Sequence, residues 1–204
     1  MFKTFVNKFP NVSNDVLNQL EAYYSLLVKW NVAHNLVQRE TISREQFEVR
    51  HLIDCWQLVS CFSKDKPILD IGSGAGLPGI LLAIAGFDVH LAEIDQNKAS
   101  FLKNCKVALN LNCTILNDDI HTCATQYDQV TSRAFSSLNK LLAIQWNVSR
   151  ETFGVYLKGR SVDQEISEAR KNWDFEIQIK DSVTANESKI VIISMLRKSA
   201  DCFT

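Results

Sequence analysis

Residues Ile68-Leu69-Asp70-Ile71-Gly72-Ser73-Gly74-Ala75-Gly76-Leu77-Pro78-Gly79 run from an apolar segment into a glycine-rich turn, and the helix-forming Ile80-Leu81-Leu82-Ala83-Ile84-Ala85 follows. Strand, glycine turn and helix in that order open a βαβ unit. Glycine suits such a turn because it accepts positive φ and, lacking Cβ, lets a ligand lie against the backbone. In an open α/β sheet, the carboxyl end of the first strand is a small-molecule site.

Downstream of Lys66, short apolar runs alternate with helix-length amphipathic stretches, the pattern of a parallel sheet with helical crossovers. The runs predict strands at 67–71, 88–93, 113–117, 128–132, 154–157, 175–183 and 189–196. Only Thr184-Ala185-Asn186-Glu187-Ser188 separates the last two, too short for a parallel crossover, so they pair antiparallel. A seven-stranded, mostly parallel sheet with an antiparallel last strand is the Rossmann-like layout of class I methyltransferases. Upstream, Ser13 or Asn14 caps a helix with apolar positions Leu17, Leu20, Tyr24, Leu27 and Val28, leading to Trp30. A second helix over 44–62 carries Phe47, His51, Leu52, Cys55, Leu58 and Val59 on one face.

With no repeat, linker or charge block, the 204 residues read as a single domain, 1–65 a helical extension and 66–198 an α/β cofactor-binding core. The amino terminus lacks a signal-peptide pattern and no run of 18 apolar residues occurs, so a cytoplasmic protein without a membrane span is expected. Six scattered cysteines without a C-x-x-C pair, and four histidines without ligand spacing, predict free thiols and no metal. With 22 basic and 23 acidic residues, the chain is no strongly cationic nucleic-acid binder, though a local basic face is compatible with that balance.

Two glycine frames compete. Gly72-x-Gly74-x-Gly76 is the usual S-adenosylmethionine loop, and Gly74-x-Gly76-x-x-Gly79 matches the dinucleotide fingerprint. Pro78 weakens the second by removing an amide that would cradle a pyrophosphate, and Asp70 suits a cationic methyl donor. Glu93, about twenty residues after the glycines, is placed to accept from both ribose hydroxyls in either frame. Asp118 and Asp119, after the third strand, can flank an adenine or simply cap a helix.

After the fourth strand stands Ser132-Arg133-Ala134-Phe135, a cation and an aromatic ring at the carboxyl ends of the strands. Arg133 can reach guanine O6, a phosphate or the cofactor, and Phe135 can stack on a flipped base; a surface arginine and a core phenylalanine are the alternative. Pro10, Pro67 and Pro78 are the only prolines, so the Pro-Pro-aromatic turn of exocyclic-amine methylation and the Pro-Cys nucleophile of carbon methylation are both missing. Methylation of guanine N7 needs neither, because that nitrogen has no proton to lose, and it demands chiefly alignment.

These segments resemble the bacterial GidB/RsmG family over about 23–198. The resemblance rests on Trp30-Asn31, Asn35-Leu36, Arg50-His51-Leu52-Ile53-Asp54, the run 70–80, Lys98 with Phe101-Leu102, Ser132-Arg133-Ala134-Phe135 and Leu157-Lys158-Gly159. It implies S-adenosylmethionine-dependent methylation of guanine N7 in the 530 loop of 16S ribosomal RNA. Asp70, Gly72, Ser73, Gly74, Gly76, Leu77, Glu93, Asp118, Asp119 and Arg133 would then hold the cofactor, with Arg133 and Phe135 at the reacting centre. Arg39, Arg50, His51, Lys158 and Arg160 would be RNA-contact candidates, with structural roles as the alternative for His51 and Asp54. The implied partner is 16S rRNA or the small ribosomal subunit, with no DNA or membrane partner, and the chain a monomer. Three departures stand out: Cys55 in place of serine, a longer stretch between Leu36 and His51, and Asn117-Asp118-Asp119 in place of Arg-Ala/Val-Glu. A class I methyltransferase of small molecules or proteins, and a non-catalytic adenosine-binding module, are the rival readings.

The charge balance is regional. Net charge is +1 over 1–66, −3 over 67–135 and +1 over 136–204, so the acidic excess falls on the cofactor half. RNA binding is therefore expected to rest on a few local cations, with a shallow salt dependence.

Overall fold

In the computed structural model, which describes residues 2–120, 125–148, 153–184 and 188–199, the apolar runs become strands. They are β1 (Ile68–Ile71), β2 (Val89–Ala92), β3 (Cys113–Leu116), β4 (Gln129–Arg133), β5 (Phe153–Lys158), β6 (Trp173–Asp181) and β7 (Lys189–Lys198). Each expected strand is present, its ends within two residues of the expected ones. The sheet order is β3-β2-β1-β4-β5-β7-β6. The strands from β1 to β5 pair in parallel, and β7 runs against both of its neighbours.

The chain moves outward from β1 to β3 and then returns to place β4 on the other side of β1. Crossovers on either side of that reversal leave the sheet in opposite directions, which opens a crevice at the carboxyl ends of β1 and β4. Gly72 and Arg133 stand at those two ends.

Alternation along the strands feeds two cores. Ile68, Val89 and Val155 face one, with the N-terminal extension, α5 (Gly79–Ile84) and α6 (Gln96–Ala108); Leu69, Ile71 and Tyr156 face the other, under α7 (Leu138–Val148) and α8 (Val162–Ala169).

The extension begins with α1 (Lys3–Lys8), which sequence periodicity does not reveal because six residues make under two turns. Phe2 and Phe5 are fully buried there, against Phe47 and Trp56. The first expected helix is α2 (Asn14–His34), capped by Ser13, whose Oγ accepts from Val16 N at 3.3 Å. Tyr23 rather than Tyr24 is its fully buried tyrosine, and Val28 is exposed. The second expected helix is broken into α3 (Arg44–Phe47), a π turn over Glu48–Ile53, α4 (Asp54–Trp56) and a 3-10 turn over Gln57–Cys61. The wider π turn turns Glu48, His51, Leu52 and Ile53 all inward, and Glu48 Oε1 accepts from Phe5 N at 2.8 Å.

Tyr23 joins the extension to the glycine turn: its hydroxyl donates to Ala75 O at 2.7 Å in a fully buried setting. Tyr23→Phe leaves that carbonyl without its partner, at an expected cost of about 1–3 kcal/mol, measured by urea unfolding. Wild-type stability in this variant would mean that the bond does not tie the two parts together.

Candidate active site

The glycine turn is folded by groups behind it. Gly72, Gly74 and Gly76 all have positive φ, at 68°, 57° and 84°. Gly72 has a second requirement, since a Cβ there would stand 2.0 Å from Phe135 Cδ2. Gly79 lies so close to β1 that a Cβ would meet Asp70 Oδ2 at 2.4 Å, and this approach lets Gly79 N donate to Asp70 Oδ2 at 3.0 Å. Ser73 Oγ donates to the Asp70 carbonyl at 3.0 Å, and Ser73 N to Ala92 O at 3.0 Å.

Asp70 is 0% exposed and does not line the ligand cavity, which corrects the expected contact with a cationic ligand. The alternation of β1 turns its side chain toward α5 instead. Gly76 is likewise buried, packed against Ile80 and Leu102. At the start of α5, Gly79 N is taken by Asp70 and Ile80 N by Gly76 O at 2.7 Å, while Pro78 has no N–H. A pyrophosphate would find these amides occupied, so the Gly72-x-Gly74-x-Gly76 frame describes the site.

A cavity of about 870 Å³ opens over the turn, lined by Gly72, Ser73, Gly74, Leu77, Glu93, Arg133 and Phe135 among the expected residues. Glu93 is 7% exposed and folded into place, its Oε2 accepting from Gly74 N at 2.8 Å and its Oε1 from Asp95 N at 2.9 Å. Ile94, Asp95 and Lys98 extend this wall, and residues 35–39 with Thr41 form the opposite one. Those contributions are not readable from the βαβ pattern, because the extension lies far away in sequence. Asp118 and Asp119 are exposed and do not line the cavity. Asn117 Nδ2 instead donates to Glu93 O at 2.8 Å and Ile94 O at 3.3 Å, which ties the ends of β2 and β3 together.

These residues fit S-adenosylmethionine. Gly74 leaves its side open, since a Cβ there would meet nothing closer than Gly72 O at 3.9 Å, and a carboxylate stands at the end of β2, where ribose hydroxyls bind in this sheet class. The cavity volume is that of a small-molecule site.

Arg133 faces the extension. Its Nη2 donates to Arg50 O at 2.8 Å, its Nη1 to His51 Nδ1 at 2.9 Å, and its Nε stands 3.7 Å from Asp54 Oδ2. Since Nδ1 accepts, His51 is neutral with its proton on Nε2, which donates to Thr41 Oγ1 at 2.8 Å. Burial, with Arg133 and Arg50 nearby, pushes the His51 pKa down to about 3. His51 is therefore a buried positioning group rather than a cation for RNA. Asp54 Oδ1 accepts from Ser182 Oγ at 2.9 Å, and Gln57 Nε2 donates to the same Ser182 oxygen at 2.7 Å. Burial raises the Asp54 pKa, with Arg133 and the hydroxyls opposing.

Ala134 adopts φ 53°, a left-handed conformation costing about 1–2 kcal/mol for a residue with a Cβ. It turns Arg133 and Phe135 in different directions, and Phe135 is 45% exposed. The next residues are braced: Lys158 Nζ donates to Ser136 O at 2.7 Å and Glu165 Oε2 accepts from Leu138 N at 2.8 Å. Lys158 is 8% exposed, so it is not a surface cation, whereas Arg39, Arg50 and Arg160 are exposed. Of the cysteines, Cys123 and Cys202 lie outside the described residues; Cys55 and Cys105 are buried, and burial pushes both pKa values up to about 12, which leaves them unreactive. Among the described residues, no helix is long and apolar enough to cross a membrane.

Burial pushes the Asp70 pKa up to about 7, the Gly79 amide opposing it. A carboxyl raised in the folded state contributes stability that is present below its ordinary value and is lost as pH rises through 7. Asp70→Asn removes this dependence. The difference between melting temperatures at pH 5 and pH 8 should shrink by several degrees, given about 2–4 °C per kcal/mol for a domain this size. An unchanged difference would place the titration elsewhere.

The family described as rRNA small subunit methyltransferase G, GidB, matches residues 16–193. Proteins named "Ribosomal RNA small subunit methyltransferase G" are similar along nearly their whole length. The one from Rickettsia bellii (strain OSU 85-389) is 39% identical over 190 residues, 92% of this chain and 98% of that protein. The one from Rickettsia rickettsii (strain Sheila Smith) is 40% identical over 190 residues, covering 92% of this chain. Among solved structures, magnesium protoporphyrin IX methyltransferase from Synechocystis PCC 6803 with bound SAM aligns at a TM-score of 0.58 and 14% identity, over 90% of this chain and 98% of that one. A ribosomal protein L11 methylase from Lactobacillus delbrueckii aligns at 0.57 and 12% identity, over 74% of this chain and 79% of that one; at such identities the likeness shows the fold alone. With a methyl-donor loop at the switch point of this sheet and a family match across 16–193, the chain belongs to the GidB family of S-adenosylmethionine-dependent methyltransferases.

Proposed function

We propose that this chain methylates guanine N7 in the 530 loop of 16S ribosomal RNA, acting in the cytoplasm as a monomer on the small ribosomal subunit rather than on DNA or at a membrane. The observation that carries the reading is the match to relatives named for small-subunit ribosomal RNA over nearly their full length. Gly72, Gly74 and Glu93 would hold S-adenosylmethionine, which would supply the methyl group: the N7 lone pair would form the new C–N bond as the C–S bond broke, its electron pair staying on sulfur and the positive charge passing to the purine.

No proton moves in that exchange, which suits a site whose ionisable groups are engaged in structure. His51 is held between Thr41 and Arg133, and Asp54 between Ser182 and Arg133. Phe135 offers an exposed ring at the cavity mouth for a splayed base to stack on. The backbone of Gly72 and the ring of Phe135 narrow the approach, so that the acceptor is aligned rather than activated. Arg39 lines the cofactor cavity, and Arg50 and Arg160 line a polar cavity of about 350 Å³ on the far side of His51; these three supply phosphate contacts.

The test compares small-subunit RNA from cells with and without the gene by m7G-specific chemical cleavage. Loss of cleavage in the 530 loop is expected without the gene, and an identical pattern would overturn the substrate assignment. Arg133→Ala in the complementing gene should lower methylation at least tenfold, since it removes the bonds to Arg50, His51 and Asp54 that hold the extension at the crevice.

A further inference from the structure

A second cavity, of about 320 Å³, meets the cofactor cavity at Arg133, Ala134 and Phe135. Its wall includes Lys158 and Glu165, an ion pair at 2.8 Å whose side chains are 7% and 20% exposed. Lys158 Nζ spends two of its three N–H groups, on Ser136 O and Glu165 Oε2. Glu165 Oε2 also accepts from Leu138 N, while Oε1 accepts only from Ser161 Oγ, at 2.9 Å, among the described residues. One wall of the cavity thus offers a spare cationic donor beside a spare anionic acceptor.

We propose that this cavity selects guanine: Lys158 donates to O6, Glu165 accepts from the exocyclic amino group, and the ring stacks on Phe135. The assignment rests on the guanine-N7 reading above. Guanine carries its O6 acceptor and its 2-amino donor on one edge, in the order this ion pair demands. Adenine places an amino donor opposite the ammonium and has no 2-amino group for the carboxylate, so it sets donor against donor at Lys158 and leaves the second acceptor of Glu165 unused. Holding that edge also leaves the N7 lone pair free of hydrogen bonds, as a nucleophile requires.

The same two side chains brace the turn through Ser136 and Leu138, so loss of activity alone does not separate recognition from bracing. Inosine does, because it keeps O6 and lacks the 2-amino group. Small subunits reconstituted with guanosine or inosine at the target position are compared as substrates of the wild type, Glu165→Gln and Glu165→Ala, with melting temperature measured in parallel. The wild type should favour guanosine by about tenfold in kcat/KM. Glu165→Ala should bring the two substrates to within about twofold, with the better-folded Glu165→Gln in between. No wild-type preference, or a preference that survives both substitutions, would overturn the subsite and leave the pair as a brace. A wild type that methylated neither RNA would overturn the guanine-N7 reading itself and this subsite with it.

Discussion

The guanidinium of Arg133 is the point on which the three parts of the molecule converge. It stands at the carboxyl end of β4, yet its nitrogens reach Arg50 O, His51 Nδ1 and Asp54, all in the extension, and Asp54 in turn reaches Ser182 beyond β6. A partly desolvated cation tolerates such a place only when its surroundings answer it with acceptors, and here a carbonyl, a neutral imidazole and a carboxylate do so. The cavities of about 870, 350 and 320 Å³ share Arg133 in their walls. The crevice, which the sheet reversal opens on one side only, becomes an enclosed site because this contact brings the extension over it.

The glycine turn is preorganised in the same manner, by groups behind and beside it. Asp70 holds the start of α5, Glu93 holds the Gly74 amide, and Tyr23 holds the Ala75 carbonyl. Glu93 has two tasks, since the carboxylate that shapes the turn also lines the cavity. Fixing the loop before the ligand arrives removes an ordering cost from binding. Asp70 Oδ1 is unpaired among the described residues, and burial raises the pKa of this carboxyl.

The parts legible in the sequence are those governed by short-range periodicity. All seven strands, the glycine turn and the position of Glu93 follow from alternation and spacing, and the Ser13 cap from its chemistry. Features set by neighbours distant in sequence are not legible. Tyr23 and Tyr24 both suit the helical stripe, and only the place of the glycine turn decides that Tyr23 goes in. Asp70 reads as a ligand carboxylate until the sheet turns it toward α5, and nothing in the sequence around Lys158 tells that Ser136 and Glu165 enclose it. The π turn carrying His51 has no sequence signature, and the departure at Asn117 reads as a lost arginine, although in the structure its amide joins two strands.

The Asp54 cluster also dictates when the site can exist during synthesis. Asp54 and Gln57 are bonded to Ser182, at sequence separations of 128 and 125, and Arg133 to His51 at 82. The extension leaves the ribosome first, but His51, Asp54 and Gln57 meet Arg133 and Ser182 only when β4, and later the segment after β6, have emerged. Contacts so distant in sequence form late, because their loops must close before any bond is gained. On a nascent chain the glycine turn and β1 to β3 can assemble into a methyl-donor cleft well before its roof closes, so an incomplete chain would hold the shape of the loop without an enclosed place for a base.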